Sequence, residues 1–389
     1  MIKIAINRHA KFKADISDYG METANKARAF HSSIPGYAPT PLRKLSCLAE
    51  SRKVAGIYVK DESRRFDLNA FKVLGGSFAI GSHIASLLGE DIADMPYERM
   101  CGDEVRGTLG EQTFVTATDG NHGRGVAWTA NKLKQKSVVY MPQGTASERL
   151  ENIRKLGADA DITDETYDDC VRRAARDADE NGWLLVQDTS WDGYERIPGL
   201  IMQGYTTMAL EAVEQLEGEI PSHVFLQAGV GSMAAAVAAF MANYYGERCP
   251  KIIIVEPHTA DCHYLTVAAD DGKLHLITGG MDSMMAGLCC GEPCPIAWEI
   301  LSDYACAFAS IPDSASAEAM WTLAHPLGTD PVTVSGESGA AGIGLALAAL
   351  KEENAELREK LGIDENSVLL CFSTEGDTDK ENYKKIVER

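Results

Sequence analysis

Lys72 lies in the stretch LNAFKVLGG, residues 68–76, where a charged side chain has almost no polar neighbours. An ammonium group is destabilised in apolar surroundings, so the neutral amine of such a lysine becomes accessible. A neutral amine is a nucleophile that can form a Schiff base with an aldehyde. The alternative is a lysine whose stem packs against the core while its ammonium reaches water. Taken alone, the segment favours this alternative.

A second group of reactive side chains lies in ATDGNHGRG, residues 117–125, which contains Thr118, Asp119, Asn121 and His122. The segment follows the apolar run TFVTAT, so these side chains come at the end of a predicted strand. Aspartate and histidine can accept or donate protons. His122 could instead be a capping or core histidine, and Asn121 a turn residue. For His122 taken singly, the structural role is favoured.

A further acid, Asp188, ends the apolar run WLLVQD. A carboxylate at the end of a strand is placed where a ligand would lie in an α/β protein. Asp188 could instead cap the next helix, and Asp192 is expected to be a turn residue.

The stretch QAGVGSMAAA, residues 227–236, has the composition of an anion site. Glycines allow close approach of the backbone, and the first amides of a helix point at a bound anion. The stretch lacks the lysine and hydroxyl of a P-loop and does not supply a full GxGxxG pattern. It therefore predicts a phosphate-binding loop, with an ordinary tight strand–helix turn as the alternative.

The elements that must position these groups alternate along the chain from residue 113. Apolar runs read as strands: TFVTAT, SVVYM, WLLVQD, HVFLQA, KIIIVE and SVLLCFST. Longer amphipathic segments between them read as helices: RGVAWTANKLKQ, SERLENIRKLG, GLIMQGYTTMALEAVEQL and MAAAVAAFMANYY. This alternation predicts an α/β fold with parallel sheets covered by helices. Ligands bind at the carboxyl ends of such strands, so DGNHG, GVGS and the end of FST are expected together.

Composition narrows the function further. The 389 residues are enough for two domains, and the net charge of −20 disfavours nucleic acid as a partner. The first fifteen residues lack a signal-peptide core, and no run is long and apolar enough to cross a membrane. We therefore expect a cytoplasmic protein that acts on a small molecule.

Ten cysteines are scattered without a CxxC pair, and buried free thiols are the expectation for a reducing compartment. Two clusters, HTADCHY (His258, Cys262 and His263) and CCGEPC (Cys289, Cys290 and Cys294), could meet and form a disulfide or bind zinc. Their spacing fits no standard zinc finger, so no metal site is predicted. Whether Cys262 pairs with Cys289 or Cys290 stays open.

Taken in order, the motifs resemble those of the fold type II pyridoxal-phosphate enzymes, the group of the tryptophan synthase β-subunit and threonine dehydratase. The segments that carry the resemblance are TPL (40–42), VKDESRRFDLNAFKVLGG, TDGNHGRG, GVGS, SGESGAAG and FSTEGDTD. Each motif is weak by itself, whereas the ordered set is specific. It covers residues from about 38 to the end of the chain.

The resemblance implies two domains, each an open and mostly parallel twisted sheet covered by helices, with pyridoxal 5′-phosphate in the cleft between them. The larger would comprise residues 1–82 and 192–389, and the smaller residues 83–191. Lys72 takes the Schiff-base position, and Asn121 would contact the ring oxygen of the cofactor. Ser373, or alternatively Thr374, would lie near the pyridine nitrogen. The phosphate would be bound by the backbone amides of Gly229, Val230, Gly231, Ser232 and Met233.

Within the family, the chain most resembles the lyases that act on 2,3-diaminopropionate, through stretches such as VQDTSWDGY and AGLCCGEPCPIAWEIL. Dehydratases carry Ser or Ala where this chain has Asp119. An amine is a poor leaving group unless it is protonated, and a nearby carboxylate such as Asp188 would hold its ammonium form. A serine/threonine dehydratase and a non-catalytic cofactor-binding protein remain as alternatives.

The expected reaction is an α,β-elimination that converts D- or L-diaminopropionate to pyruvate and two ammonia. The substrate would contact Thr118, Asp119, His122 and Asp188. Lys72 and Asp119 would be bases on opposite faces of the substrate, with Asp188 as the reserve candidate. The resemblance also implies a homodimer.

Overall fold

The structure is a computed structural model that describes residues 1–118 and 120–388. The chain divides into two compact units. The larger unit comprises Met1–Met21, Pro39–Ala70 and Met208–Arg389, and the smaller unit comprises Glu22–Ala38 and Phe71–Thr207. The boundaries expected from the sequence were 82/83 and 191/192. In the structure the smaller unit begins at Phe71 instead of 83, ends at Thr207 instead of 191, and also includes Glu22–Ala38.

The strands, in chain order, are β1 Lys3–Ile6, β2 Leu42–Lys44, β3 Gly56–Asp61, β4 Thr113–Ala117, β5 Lys136–Met141, β6 Asp159–Ile162, β7 Leu184–Leu185, β8 His223–Gln227, β9 Lys251–Pro257, β10 Ala305–Ile311 and β11 Val368–Ser373. The larger unit contains a sheet of order β1-β10-β9-β8-β11-β3-β2, and the smaller unit one of order β6-β5-β4-β7. The edge strands β1 and β2 run antiparallel to their neighbours, and the other pairings are parallel.

The α-helices are α1 Met21–Ser33, α2 Ser46–Arg52, α3 Val73–Leu87, α4 Tyr97–Met100, α5 Asp103–Leu109, α6 Asn121–Lys132, α7 Ser147–Arg154, α8 Tyr167–Asn181, α9 Arg196–Gln215, α10 Ser232–Tyr245, α11 Cys262–Ala269, α12 Pro295–Tyr304, α13 Asp313–Ala324, α14 Ala341–Ala349, α15 Ala355–Leu361 and α16 Lys380–Val387. Short 3₁₀ turns cover Ser17–Tyr19, Glu62–Asp67, Ile92–Asp94, Gly246–Arg248, Ala286–Leu288 and Glu352–Asn354.

The strands that lie inside the larger sheet are largely buried on both faces. β8, β11 and all but the first residue of β9 are buried, as parallel strands in α/β proteins usually are. Helix α14 is apolar on every side, and all nine of its residues are buried. In the smaller unit, one face of the sheet packs against α8 and the other against α6 and α7.

The structure confirms the predicted α/β class with mostly parallel sheets. The predicted strands and helices from residue 113 onward are present, although WLLVQD is a strand only at Leu184–Leu185. The sequence reading did not assign β3, β6 or β10, whose runs GIYVKD, DADI and ACAFASI contain charged or small residues. Within the described residues, no helix combines the length and the hydrophobicity needed to cross a membrane.

A buried ionic cluster supports the chain ahead of Lys72 in the larger unit. Lys60, on β3, donates to Glu211 Oε2 at 2.6 Å, and Arg65 donates to both Glu211 and Glu62. All four side chains are at most 1% exposed. Removing one partner of such a cluster would leave an uncompensated buried charge, so the cluster holds residues 60–65 against α9.

Candidate active site

Lys72 is the residue immediately before α3, in the smaller unit. Its side chain is 23% exposed, and its Nζ atom lies 5.7 Å from the centroid of the Phe71 ring. The first residues of α3, Val73 and Leu74, are buried. Apolar residues therefore surround the start of α3 as expected, but the amine itself has an ionic partner, Asp188, that the sequence did not predict.

Lys72 shares a buried polar cluster with Asp188 and His122. Its Nζ donates to Asp188 Oδ2, which lies 3.8 Å from His122 Nδ1. The other ring nitrogen of His122 donates to the Val186 carbonyl oxygen at 2.7 Å, which orients the ring. Burial would raise the pKa of Asp188, but the Lys72 ammonium and His122 outweigh it and hold that pKa at about 2. The cluster thus places an ionised carboxylate between an amine and an imidazole.

The alternative role of Asp188 as a helix cap does not hold, because the next helix, α9, begins only at Arg196. His122 can be both a core histidine and a residue of the site. The residue is 4% exposed, yet its ring faces Asp188. Asp192 lies in the turn between the bridged residues Trp191 and Tyr194, as expected.

The loop after β4 is shaped by the hydroxyl of Thr118. This Oγ1 atom accepts hydrogen bonds from the amides of Gly120 at 3.0 Å and Gly123 at 3.2 Å. Thr118 therefore organises the loop, whereas the sequence assigned it to the substrate. Asn121 is the first residue of α6. The expectations for Asp119 lie outside the described residues.

Two glycines in GNHGRG have specific packing reasons. A Cβ atom on Gly123 would lie 2.3 Å from Thr118 Cγ2, so a side chain there would displace the residue that shapes the loop. A Cβ atom on Gly125 would lie 3.0 Å from both the N and Cα atoms of Val73. The absence of a side chain at position 125 lets α6 approach the backbone next to Lys72.

The residues before Lys72 follow an unusual backbone path in the larger unit. Phe66, Asp67 and Asn69 have φ values of +51°, +57° and +59°, a region that L-residues seldom occupy. The Asn69 carbonyl accepts from the Gly376 amide at 3.0 Å, and a Cβ atom on Gly376 would lie 2.1 Å from Asn69 Oδ1. Gly376, the glycine of FSTEGDTD, is therefore needed to leave space for Asn69 in the segment before Lys72.

The GVGS loop follows β8 in the larger unit and ends in α10. Gly231 has a φ of +99° and immediately precedes the helix, whose first-turn amides have no acceptor within the helix. A Cβ atom on Gly229 would lie 3.1 Å from Cys290 Sγ and 3.2 Å from the Gly287 carbonyl oxygen. The loop therefore has the two properties that an anion cradle needs, a helix N-terminus and glycines that leave part of the backbone open to close approach. These residues fit the phosphate end of the implied cofactor.

The sequence left two hydroxyls as candidates near the pyridine nitrogen, and they have different partners. Ser373 is fully buried and donates to Ser335 Oγ at 2.7 Å. Thr374 is 4% exposed and accepts from Gln227 Nε2 at 2.8 Å. Gln227 ends β8, directly before the GVGS loop, whereas the DGNHG loop follows a strand of the smaller unit. GVGS and FST therefore meet at one sheet edge, and DGNHG belongs to the other sheet.

None of the ten cysteines is in a disulfide, so the structure does not contain the disulfide considered for the two clusters. Cys262 Sγ lies 3.8 Å from the Cys290 carbonyl oxygen, so the clusters do meet. The ligand atoms of Glu256, Cys262 and His263 lie within 4.8 Å of one another. Burial raises the pKa of the Cys262 thiol, which opposes the thiolate form that metals bind.

Two polar residues in this region were not predicted as site residues from the sequence. Glu256 lies near the end of β9 and is fully buried, and Gln227 ends β8. The signal was available, because a polar residue at the end of an apolar strand is the same pattern that selected Asp188. Glu256 belongs to no motif, and Gln227 precedes the glycines that define the QAGVGSMAAA motif.

Comparisons with known proteins agree with this geometry. The sequence model of the family described as pyridoxal-phosphate dependent enzyme matches residues 34–373. Diaminopropionate ammonia-lyase of Salmonella typhimurium is 48% identical over 364 residues, covering 92% of this chain and 90% of that protein.

Two solved structures of the Escherichia coli diaminopropionate ammonia lyase are similar to the whole fold. The complex with D-serine has a TM-score of 0.92 and 44% identity, covering 100% of this chain and 97% of that one. The complex with an aminoacrylate-PLP azomethine reaction intermediate has a TM-score of 0.90 and 45% identity, with the same coverage.

Proposed function

The chain belongs to the pyridoxal-phosphate dependent enzymes, and we propose from this that it is a carbon–nitrogen lyase that converts 2,3-diaminopropionate to pyruvate and two ammonia. The observation that carries the choice of substrate is the ionised carboxylate of Asp188 beside the amine of Lys72. A leaving amine must be protonated, and an ionised carboxylate holds an ammonium group through a charge-assisted hydrogen bond.

The residues that would hold the cofactor are the ones that the resemblance to the family implies. Lys72 would supply the amine that attaches the aldehyde, and Asn121 would contact the ring oxygen. The amides of Gly229 to Met233 would bind the phosphate. Either Ser373 or Thr374 would face the pyridine nitrogen, and both are neutral hydroxyls. A neutral partner at that nitrogen suits elimination better than transamination.

The chemistry is divided between the cofactor and the side chains of this chain. Pyridoxal phosphate, when bound, supplies an electron sink that makes the Cα proton of an amino acid acidic. Lys72 Nζ would remove that proton from one enantiomer, and the Asp119 carboxylate would remove it from the other. Asp188 would hold the β-amine as ammonium until it leaves. The loop after β4 would hold the substrate carboxylate, with Thr118 and His122 keeping its shape.

The experiment that tests the function supplies D- and L-diaminopropionate to the cofactor-loaded protein and measures pyruvate and ammonia. We expect both isomers to react with two ammonia released for each pyruvate. Equal amounts of ammonia and pyruvate, or faster turnover of serine than of diaminopropionate, would support a serine/threonine dehydratase. No turnover of any of these substrates by the loaded protein would support a non-catalytic role.

Attachment of the cofactor to Lys72 has its own test. Borohydride reduction followed by peptide mapping should place the pyridoxyl group on the peptide that contains Lys72. A label on any other lysine would contradict this assignment.

We further propose that the protein is a cytoplasmic homodimer. Its ten cysteines, none of which is in a disulfide, are typical of proteins kept in a reducing compartment. The dimer rests on the resemblance to the family. Sedimentation equilibrium of the loaded protein would detect it, and a monomer at micromolar concentration would contradict it.

A further inference from the structure

A fully buried histidine lies against the phosphate loop of the larger unit. His263 is the second residue of α11, and no part of it is exposed to solvent. Its Nε2 atom lies 2.8 Å from the position that a Cβ atom would take on Gly231. Gly231 is the left-handed residue of the loop, immediately before α10. The imidazole therefore reaches the point where the loop becomes the helix.

Glu256 fixes the orientation of this ring. Its Oε1 atom accepts from His263 Nδ1 at 2.7 Å. The same carboxylate accepts from the amides of His263 at 3.0 Å and Tyr264 at 2.7 Å. A carboxylate that receives these N–H groups is an acceptor, so Nδ1 carries a hydrogen. Nε2 is then the nitrogen that faces the loop.

Nε2 has no hydrogen-bond partner among the described residues. The ring is otherwise enclosed by apolar groups, with the Trp298 centroid 5.7 Å and the Phe308 centroid 6.4 Å away. A buried polar atom without a partner is costly, and most such atoms in proteins are satisfied. An unsatisfied nitrogen in the wall of a loop built for an anion indicates that its partner is a ligand.

We propose that His263 is a positioning residue for the phosphate end of the cofactor, with Nε2 as a hydrogen donor that Glu256 orients. The proposal rests on the proposed function only in requiring that this loop binds the phosphate. A phosphate oxygen accepts hydrogen bonds, so Nε2 carries a hydrogen in the loaded protein. Glu256 balances the imidazolium charge.

A second titratable group beside the ring is Cys262, whose Sγ atom is 3.6 Å from His263 Nδ1. Burial raises the pKa of this thiol, so it stays neutral and does not compete for the charge. The aromatic residues Trp298, on α12, and Phe308, on β10, contribute no ionisable group. The charge of the pair is therefore governed by Glu256 and by the anion at the loop.

The first test compares the dissociation constants of pyridoxal 5′-phosphate and pyridoxal for the protein and two variants. His263→Asn keeps an amide near the position of Nδ1 and removes the donor at Nε2, whereas His263→Gln places an amide near Nε2. We expect His263→Asn to weaken binding of the phosphorylated form by roughly tenfold to a hundredfold, the worth of a charge-assisted hydrogen bond. Pyridoxal binding should stay unchanged, and His263→Gln should recover part of the loss. Equal weakening of both ligands would overturn the proposal.

A spectroscopic readout separates a contact from a change in stability. The ³¹P resonance of the bound cofactor should shift in His263→Asn, and the imidazole ¹⁵N spectrum of the loaded protein should show His263 protonated at both nitrogens. An unchanged phosphorus resonance, or a neutral His263 in the loaded protein, would contradict the proposal.

His223 provides a matched control. It is also buried, but its ring nitrogens contact Ser222 Oγ at 2.7 Å and the Leu361 carbonyl at 3.1 Å. It begins β8, whereas the loop follows the other end of that strand. His223→Asn should therefore lower stability without changing the ratio of the two dissociation constants. A changed ratio in this control would show that the ratio reports general destabilisation, which would overturn the proposal.

These readouts depend on cofactor binding and not on turnover. A protein that binds the cofactor but does not cleave diaminopropionate would refute the proposed function and leave this test valid. A protein that does not bind the cofactor would refute both. Stoichiometric zinc in the purified protein that is lost in His263→Asn would assign the histidine to a metal site and also overturn the proposal.

Discussion

Asp188 shows how the surroundings of one residue decide its chemistry. While Lys72 is a free ammonium, the Asp188 carboxyl group has a pKa of about 2 and carries no proton at neutral pH, so it acts as an anion and not as a proton donor. It can hold a cation, as it does with Lys72. The fitting role is therefore to hold the β-ammonium group of diaminopropionate, a group that serine lacks.

Replacing Asp188 by Asn keeps the shape of the side chain and removes its charge. We expect kcat/KM for both isomers of diaminopropionate to fall by roughly tenfold to a hundredfold, the worth of a charge-assisted hydrogen bond. Any turnover of serine should fall less. Steady-state kinetics with the three substrates checks this, with the exposed turn residue Asp192→Asn as the matched control. An equal loss for serine would show that Asp188 acts on the cofactor-holding lysine instead.

Replacing Asp119 by Asn separates the two proposed bases. If Lys72 and Asp119 take protons from opposite faces, activity on the D-isomer should fall by about 10²–10⁴, the usual worth of a general base, with less effect on the L-isomer. Separate assays of the two enantiomers measure the difference. Equal loss for both would assign Asp119 to leaving-group protonation or cofactor positioning, and no loss would make it a turn residue.

At the scale of elements, the position of Lys72 depends on how closely α6 approaches the start of α3. The approach is possible because Gly125 faces the backbone of Val73, with space for no side chain at normal contact distance. A similar close contact joins α3 to α9, where a Cβ atom on Gly204 would lie 2.4 Å from the Leu74 carbonyl oxygen. Helices α6 and α9 thus hold α3 through glycine contacts, and α3 carries Lys72 at its start.

Replacing Gly125 by Ala should push α6 away from Val73. We expect a loss of about 1–3 kcal/mol in the free energy of unfolding, typical of overpacking, and a lower kcat because Lys72 moves. Chemical denaturation and kinetics measure the two effects. Gly107→Ala is the matched control: Gly107 is exposed in α5 with open space around it, and alanine there should stabilise by about 0.5–1 kcal/mol. A Gly125→Ala variant as stable and active as the original would contradict the packing argument.

At the scale of the whole molecule, the protein has a net charge of −20, so the positions of its acidic side chains affect its stability. Glu337, in the SGESGAAG segment, is 3% exposed and accepts from Asn382 Nδ2 at 2.6 Å. Burial raises the pKa of Glu337 to about 7, and the charges of Glu375 and Asp379 add to this against the opposing hydrogen bonds. The folded protein therefore holds a proton here that the unfolded chain releases above about pH 4.5.

The sign of the resulting pH dependence follows from proton linkage. Between about pH 4.5 and pH 7 the folded state binds more protons at Glu337 than the unfolded state, so this group makes stability fall as pH rises. The shift corresponds to about 3 kcal/mol at most, at 1.36 kcal/mol per pKa unit. Glu337→Gln should remove this slope, whereas the exposed Glu352→Gln should keep it. Urea denaturation across this pH range measures both, and an unchanged slope in Glu337→Gln would contradict the prediction.

The sequence determined the fold class and much of the candidate site, because these depend on local patterns. Apolar runs alternating with amphipathic segments suffice for parallel sheets covered by helices, and the glycines of GVGS mark a strand–helix turn without reference to other residues. Lys72 stood out because its own neighbours are apolar. Such features arise from residues close in the chain, so their spacing carries the information.

Only the tertiary structure decided which distant groups meet and in what charge state. Lys72 and Asp188 are 116 residues apart in sequence, and their contact, together with the nearby His122, explains the low pKa of the carboxyl group. Likewise, Thr118 shapes a loop, and His263 faces Gly231 while Glu256 holds its ring. Burial and charge pairing depend on separation in space, which residue spacing along the chain does not specify.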